Sequence, residues 1–261
     1  MSDQPPPGPV YPQPPEPGDY PPPYREGTLP PAPVPTGFGP PPFSHQTKPV
    51  GAVGMGAAVL IGVVVVLSAV SAWSDWHRYT VASDYVSGRG SVTLDDLDSV
   101  DNIAQATAIA YLIGLIAAGV VFTVWLWRAR QNAEILCFTP HRRARAWVVW
   151  GWICPGANLW FPFMVVDDVY RASRPDNPRD LADLRSVPGS AVLGWWWALW
   201  LGLWVINRLG SVDLGTNPTI DDFRTYAVFS AIETLVAAAA AVLIIRVMRE
   251  ISAWQAPRWP N

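Results

Sequence analysis

The sequence predicts an all-α membrane protein: a polytopic bundle of four spanning helices, a proline-broken re-entrant or interfacial segment, and a disordered proline-rich N-terminal tail. Three observations lead there. Half of the 261 residues are apolar and only 15% are charged. Residues 1–49 hold 19 of the 28 prolines and none of the 15 tryptophans, so two different polymers share one chain. After residue 49, several stretches run past 20 residues with no charge, and roughly 20 helical residues cross a hydrocarbon layer of about 30 Å.

Residues 1–49 form the first expected domain, a cytoplasmic tail. They cannot bury enough apolar surface to offset chain entropy, and their prolines favour extended polyproline II backbone. Within them, Pro21-Pro22-Pro23-Tyr24 fits the ligands of aromatic-groove domains, so a cytoplasmic protein partner is expected at the tail. The first reading is nevertheless a solvated tether, because proline-rich composition matches such patterns by chance, and the partner is the alternative.

Residues 50–261 form the second expected domain, with spans at about 50–73, 103–127, 187–207 and 226–246. A fifth apolar stretch, 146–166, carries Pro155-Gly156 near its middle, Asn158 just after, and Pro162 near its end. Proline at membrane depth frees carbonyls that only protein or a wet cavity can satisfy. Before the break, Ala146 to Cys154 reach only roughly 13 Å, about half a bilayer. Segment 144–173 is therefore expected to dip in and return.

Arginine placement supports the return. With it, 14 of the 18 basic residues share one face with both termini, while Arg78, Arg89, Arg208 and Arg224 face the other side among nine aspartates. Lysine and arginine collect on the cytoplasmic side. The expectation is a multi-pass protein of the cell membrane with both termini in the cytoplasm; a full fifth crossing is the alternative.

Helices in lipid associate through close packing of small residues. Ala106, Ala110, Gly114 and Ala118 recur at intervals of four, Ala58 and Gly62 share that interval, and Ala237 to Ala241 form a run. These are the expected seams, between helices of one chain or between copies in an oligomer. Trp195, Trp196, Trp197, Trp200 and Trp204 are expected to pack partly on the broken segment.

One run is dense in uncommon residues: Arg130-Gln131-Asn132-Ala133-Glu134, a basic turn from Arg142 to Arg145, Gly151-Trp152 with Pro155, Ala157-Asn158-Leu159-Trp160 with Pro162, then Asp167-Asp168 and Ala172-Ser173. It resembles an actinobacterial integral-membrane family catalogued as domain of unknown function 4328. The resemblance implies membrane location and a helical fold, and no activity. Two departures from the family pattern stand out: Phe163-Met164 replace a basic residue and glutamine, and Tyr170 replaces tryptophan. Physically, Asn158 is expected to bond backbone groups freed at the break. Pro162 is expected to start a second short helix with Asp167 and Asp168 in or near its first turn. Arg128, Arg130, Arg142, Arg143 and Arg145 crowd the same boundary, where Glu134, Asp168 or anionic lipid headgroups can pair with them, and where plain topology anchoring is the bland reading.

Glu233 is the only charge inside an expected span, and an intramembrane acid faces a partner or a cavity. Thr107, Gln105 or another polar group of the bundle are candidate partners. The candidate polar cluster is thus Arg130, Asn132, Glu134, Arg145, Trp152, Pro155, Asn158, Trp160, Pro162, Asp168 and Glu233. No catalytic, cofactor or metal set is expected. The three histidines fall in three different regions, and Asp176, Asp180 and Asp183, though at helical spacing, read as a solvated face. With one lysine and a net charge of -3, the chain has no surface for nucleic acid. The expected role is a non-enzymatic anchor, scaffold or sensor. The alternative is a small-solute or lipid transporter with a pathway lined by the broken segment and Glu233.

Overall fold

The computed structural model describes residues 47–210 and 219–256; the Pro21 to Tyr24 motif lies outside them. Among the described residues there are six α-helices and no strand: α1 (Gly51–Ser87), α2 (Leu94–Leu136), α3 (Trp147–Ile153), α4 (Phe161–Ala172), α5 (Ala191–Gly210) and α6 (Ile220–Trp254). Three of them, α1, α2 and α6, are long and apolar enough to cross a membrane. The fourth expected span corresponds to α5, which has 20 residues. Its five tryptophans, each with a polar indole N–H, leave it outside that apolar set.

Local chemistry sets the helix ends. α1 starts after Pro49 and stops at Gly88, whose φ of 66° is the left-handed conformation that terminates helices. The Arg89 N–H then reaches back to the Asp84 carbonyl at 3.0 Å. α2 and α6 begin alike: Thr93 with Asp96 and Thr219 with Asp222 form capping boxes, each threonine accepting from the aspartate N–H and each aspartate accepting from the threonine N–H.

α1 runs antiparallel to α2 and α6, which run parallel to each other. At one end, here the Arg78 end, Arg78 of α1 donates to Asp101 of α2 at 2.5 Å and lies over the Phe223 ring of α6. At the other, the Lys48 end, Trp125 of α2 donates its indole N–H to Ser252 of α6 at 3.1 Å, with Gly54 of α1 against both. A Cβ on Gly54 would stand 3.0 Å from the Trp125 nitrogen, so any larger residue there would make Trp125 and Ser252 give way by a few tenths of an ångström.

Only part of the expected small-residue pattern forms seams. Gly114 meets Leu67 and Val64, and Ala118, Ala240 and Ala241 are buried. A Cβ at Gly62 would meet nothing within 4 Å, and the buried small residues of α1 include Gly54, one of the glycines at its start, and Ala57. Outside, Val63, Val66, Leu112, Ile113, Ile116, Leu235 and Val242 are exposed, while the α1–α6 seam holds the Ser68 to Thr234 hydroxyl pair at 2.8 Å. Apolar outside and polar inside is the pattern of a bundle whose solvent is hydrocarbon.

The densest core lies at the Lys48 end, where Trp125, Leu126, Val148, Val166, Leu193 and Met248 are fully buried. The proline break falls where the sequence puts it. α3 ends at Ile153, Gly156 takes φ 81°, a single 3-10 turn follows at Ala157–Leu159, and Pro162 is in the first turn of α4. Trp147 meets Phe161 edge-on at 4.6 Å, and Gly151 faces Phe161 and Pro162, so the two arms lie against each other. As expected, the tryptophans of α5 pack on this segment: Trp197 and Trp200 meet Trp152 edge-on.

Candidate functional site

The last turns of α2, the loop after it, α4 and the end of α6 converge at the Lys48 end. On α2 the spacing of four places Arg130 beneath Glu134, and the arginine Nε donates to the carboxylate at 2.8 Å. Arg145 donates to the other oxygen of the same carboxylate. Arg130 is only 3% exposed, and its Nη2 donates to the Arg143 carbonyl at 2.8 Å, which ties the basic loop to the helix.

A second network lies beside the first. Asp168, fully buried, accepts from the Arg142 backbone N–H at 2.8 Å and from its Nε at 2.6 Å. Arg142 also donates to Asp167 at 2.6 Å and to the Met164 carbonyl, and Arg171 joins Asp167 from one turn along α4. Burial alone would lower the Arg142 guanidinium. The charges and hydrogen bonds of Asp168, then Asp167, outweigh that and hold it above its ordinary value. Next door, burial and then the Arg130 charge push the His141 imidazole down to about 3, and its Nε2 is buried without a partner.

A third, uncharged hub is centred on Asn132, which has no exposed surface. Its side-chain oxygen accepts from the Lys48 N–H at 2.7 Å, and its amide donates to the Lys48 carbonyl at 2.8 Å and to Gln255 at 3.1 Å. Gln255 donates to the Ala129 carbonyl and to the Ser173 hydroxyl. Four pieces of chain, those before α1, along α2, after α4 and after α6, therefore meet in one polar cluster whose members satisfy one another.

This geometry contains every element of the dense sequence run, and the family described as Domain of unknown function (DUF4328) matches residues 89–253. The chain belongs to the DUF4328 family. In this DUF4328 chain the matched stretch runs from just after α1 to the last residues of α6. No curated protein and no solved structure matches the chain.

Of the sequence candidates, Arg130, Asn132, Glu134, Arg145 and Asp168 come together in this DUF4328 module. Trp152, Pro155, Asn158, Trp160 and Pro162 shape the break beside it. Asn158 closes that break with its backbone N–H to the Cys154 carbonyl, and Trp197 donates to the Leu159 carbonyl at 3.1 Å; the Asn158 side chain does not perform the expected bonding. Asp167 and Asp168 are in the middle of α4 rather than its first turn, so arginines, not the helix end, balance them. Where the family pattern is broken, Tyr170 donates to Glu250 and lies edge-on to Trp254.

Glu233 stands apart from the module. Its hydrogen-bond partner is Asn207 of α5, not Gln105 or Thr107, and the Thr107 hydroxyl donates to Ala104 of its own helix. Asp176, Asp180 and Asp183 fall in the turn-rich connection between α4 and α5, not on a helix, and Asp183 accepts from the Arg185 N–H. Among the described residues no three metal-ligand side chains gather. Sequence reasoning missed Gln255. The signal was present, because Met248, Ile251 and Gln255 repeat at intervals of three and four along the buried face of α6.

Proposed function

We propose that this chain is a non-enzymatic, multi-pass protein of the cell membrane, with α1, α2, α5 and α6 crossing and both termini cytoplasmic, which presents its proline-rich head at the cytoplasmic face. The observation that carries this reading is the grip of Asn132 on both backbone groups of Lys48, at the residue where the head joins the bundle. The backbone of Lys48, just before α1, is thereby fixed to the hub.

The four-crossing arrangement is supported by contacts across the broken segment. Arg142 before it bonds Asp168 after it, and Ser173 reaches Gln255, so the chain on both sides of the break belongs to one end of the bundle. That end carries Arg130, Arg142, Arg145 and Arg171, as the cytoplasmic side of a membrane protein does. Within each charged network every carboxylate is engaged by arginine, which fits a structural role for these acids.

Two measurements test the reading. Single cysteines at the exposed positions Ala182 and Ser186, in a chain with Cys137 and Cys154 replaced, should label only after cell permeabilisation. Labelling in intact cells would reverse the orientation. Full-length protein in nanodiscs should bind a polyproline-reading domain from a panel of aromatic-groove domains, and protein lacking residues 1–45 should bind none. Equal binding by both would remove the head from the function.

A second reading, passage of a small solute or lipid, is favoured by polar groups in the Arg78-end half: Asp75 accepts from Ser230 at 2.7 Å, and the Ser71 and Ser74 hydroxyls are buried without partners. Under that reading Glu233→Gln abolishes transport in proteoliposomes and leaves head binding unchanged.

A further inference from the structure

The two charged networks at the Lys48 end differ in one respect. Around Asp167 and Asp168, the buried carboxylates and the arginines that reach them, Arg142 and Arg171, are matched. Around Glu134 they are not, because one carboxylate serves both Arg130 and Arg145, and Arg143 has no carboxylate and lies with its guanidinium 4.1 Å over the Phe161 ring. Positive charge is in excess at this corner.

The excess coincides with missing partners. Arg130 is 97% buried (3% exposed); its Nε and Nη2 are bonded, but Nη1 has no acceptor. His141 Nε2 and Arg143 Nε are likewise buried and unsatisfied. Arg130 Nη2 is bonded to the Arg143 carbonyl, two residues along the loop from His141, so both orphan-bearing side chains belong to the same helix–loop corner. Buried donors in native folds are nearly always satisfied, and several orphans together mark a place where a ligand supplies the acceptors. Arg145, 46% exposed at its side chain, is the one member of the Glu134 network with a wide path to solvent, so an incoming group enters beside it.

We propose that the corner formed by Arg130 and His141, with Arg143 beside them, is a binding site for a phosphate-type oxyanion, either free or as the headgroup of an anionic lipid. A planar guanidinium offers a directed N–H to one phosphate oxygen, and a neutral imidazole offers a second N–H without a further charge. The lipid source rests on the reading above that this end faces a membrane surface; the phosphate source does not.

The test uses the full-length protein in neutral detergent, titrated separately with inorganic phosphate and with short-chain phosphatidylglycerol, and read by melting temperature and 31P line broadening. Wild type should respond to at least one probe. Arg130→Gln and His141→Gln should each weaken that response at least tenfold, whereas Arg128→Gln, on the same helix, should not. His141→Gln keeps the test decisive if Arg130→Gln fails to fold. A response to phosphate alone assigns a free anion, a response to the lipid alone assigns a headgroup, and either supports the site. No response from wild type, or an equal loss in Arg128→Gln, overturns it. Loss of head binding on removing residues 1–45, with phosphate binding kept, separates this site from the presentation role.

Discussion

The Asn132 side chain holds Lys48 by both of its backbone polar groups, accepting from the N–H at 2.7 Å and donating to the carbonyl at 2.8 Å. The same amide reaches Gln255, so the start of α1 and the end of α6 are joined through one residue of α2. Replacing it removes the partner of the Lys48 backbone and of the buried Gln255 side chain.

Asn132→Ala should therefore destabilise the fold by about 3 kcal/mol, since buried groups left unpaired cost roughly 1–3 kcal/mol each. Thermal melting in detergent checks the magnitude. Hydrogen exchange at residues 48–51 checks the cause, because their amides should lose protection while those in the middle of α2 keep theirs.

Arg142 and Asp168 predict a non-additive pair. Arg142→Ala leaves a fully buried carboxylate without its cation and should cost about 3–5 kcal/mol. Arg142→Met combined with Asp168→Leu should recover at least half of that loss, because no charge is stranded and Asp167 keeps Arg171. A double mutant no more stable than Arg142→Ala would show that packing, not charge, carries the contact.

His141 makes stability depend on pH. Its folded value of about 3 lies below the ordinary 6.5, so between those two values unfolding takes up a proton. The fold keeps this contribution in full above the upper value and loses it as pH falls toward the lower one, by about 2 kcal/mol near pH 5. His141→Gln should flatten that slope in a melting series, and parallel slopes for the two proteins would contradict the assignment.

Gly114 and Gly62 should respond oppositely to added bulk. A Cβ at Gly114 stands 2.9 Å from Leu67 and 3.6 Å from Val64, whereas Gly62 has nothing within 4 Å. Gly114→Ile should cost about 1–3 kcal/mol through α1–α2 overpacking. Gly62→Ile should be nearly neutral by the same melting assay.

How much of this was legible in the sequence depends on what carried the signal. Long uncharged stretches, the Pro155-Gly156 break and the Arg130 to Glu134 spacing are local, and each appears as read. The Thr93 and Thr219 boxes are just as local. Each pairs a threonine with the aspartate three residues on, a spacing visible in the sequence. Partner choice was legible only in part: the break is closed by the Asn158 backbone and by Trp197 rather than by the Asn158 side chain, and Glu233 meets a polar group of the bundle, Asn207, that was not singled out. Those pairings depend on the azimuth of each helix about its own axis, which pattern alone leaves free when apolar residues surround it on every side.

α2 runs for 43 residues from the Thr93 cap to Leu136, about 64 Å, without a proline. It is a single stiff rod that carries the Asp101 tie to Arg78 near one tip and the Asn132 hub near the other. Turning or sliding either tip moves the other with it, because the rod has no joint in which the motion can be absorbed.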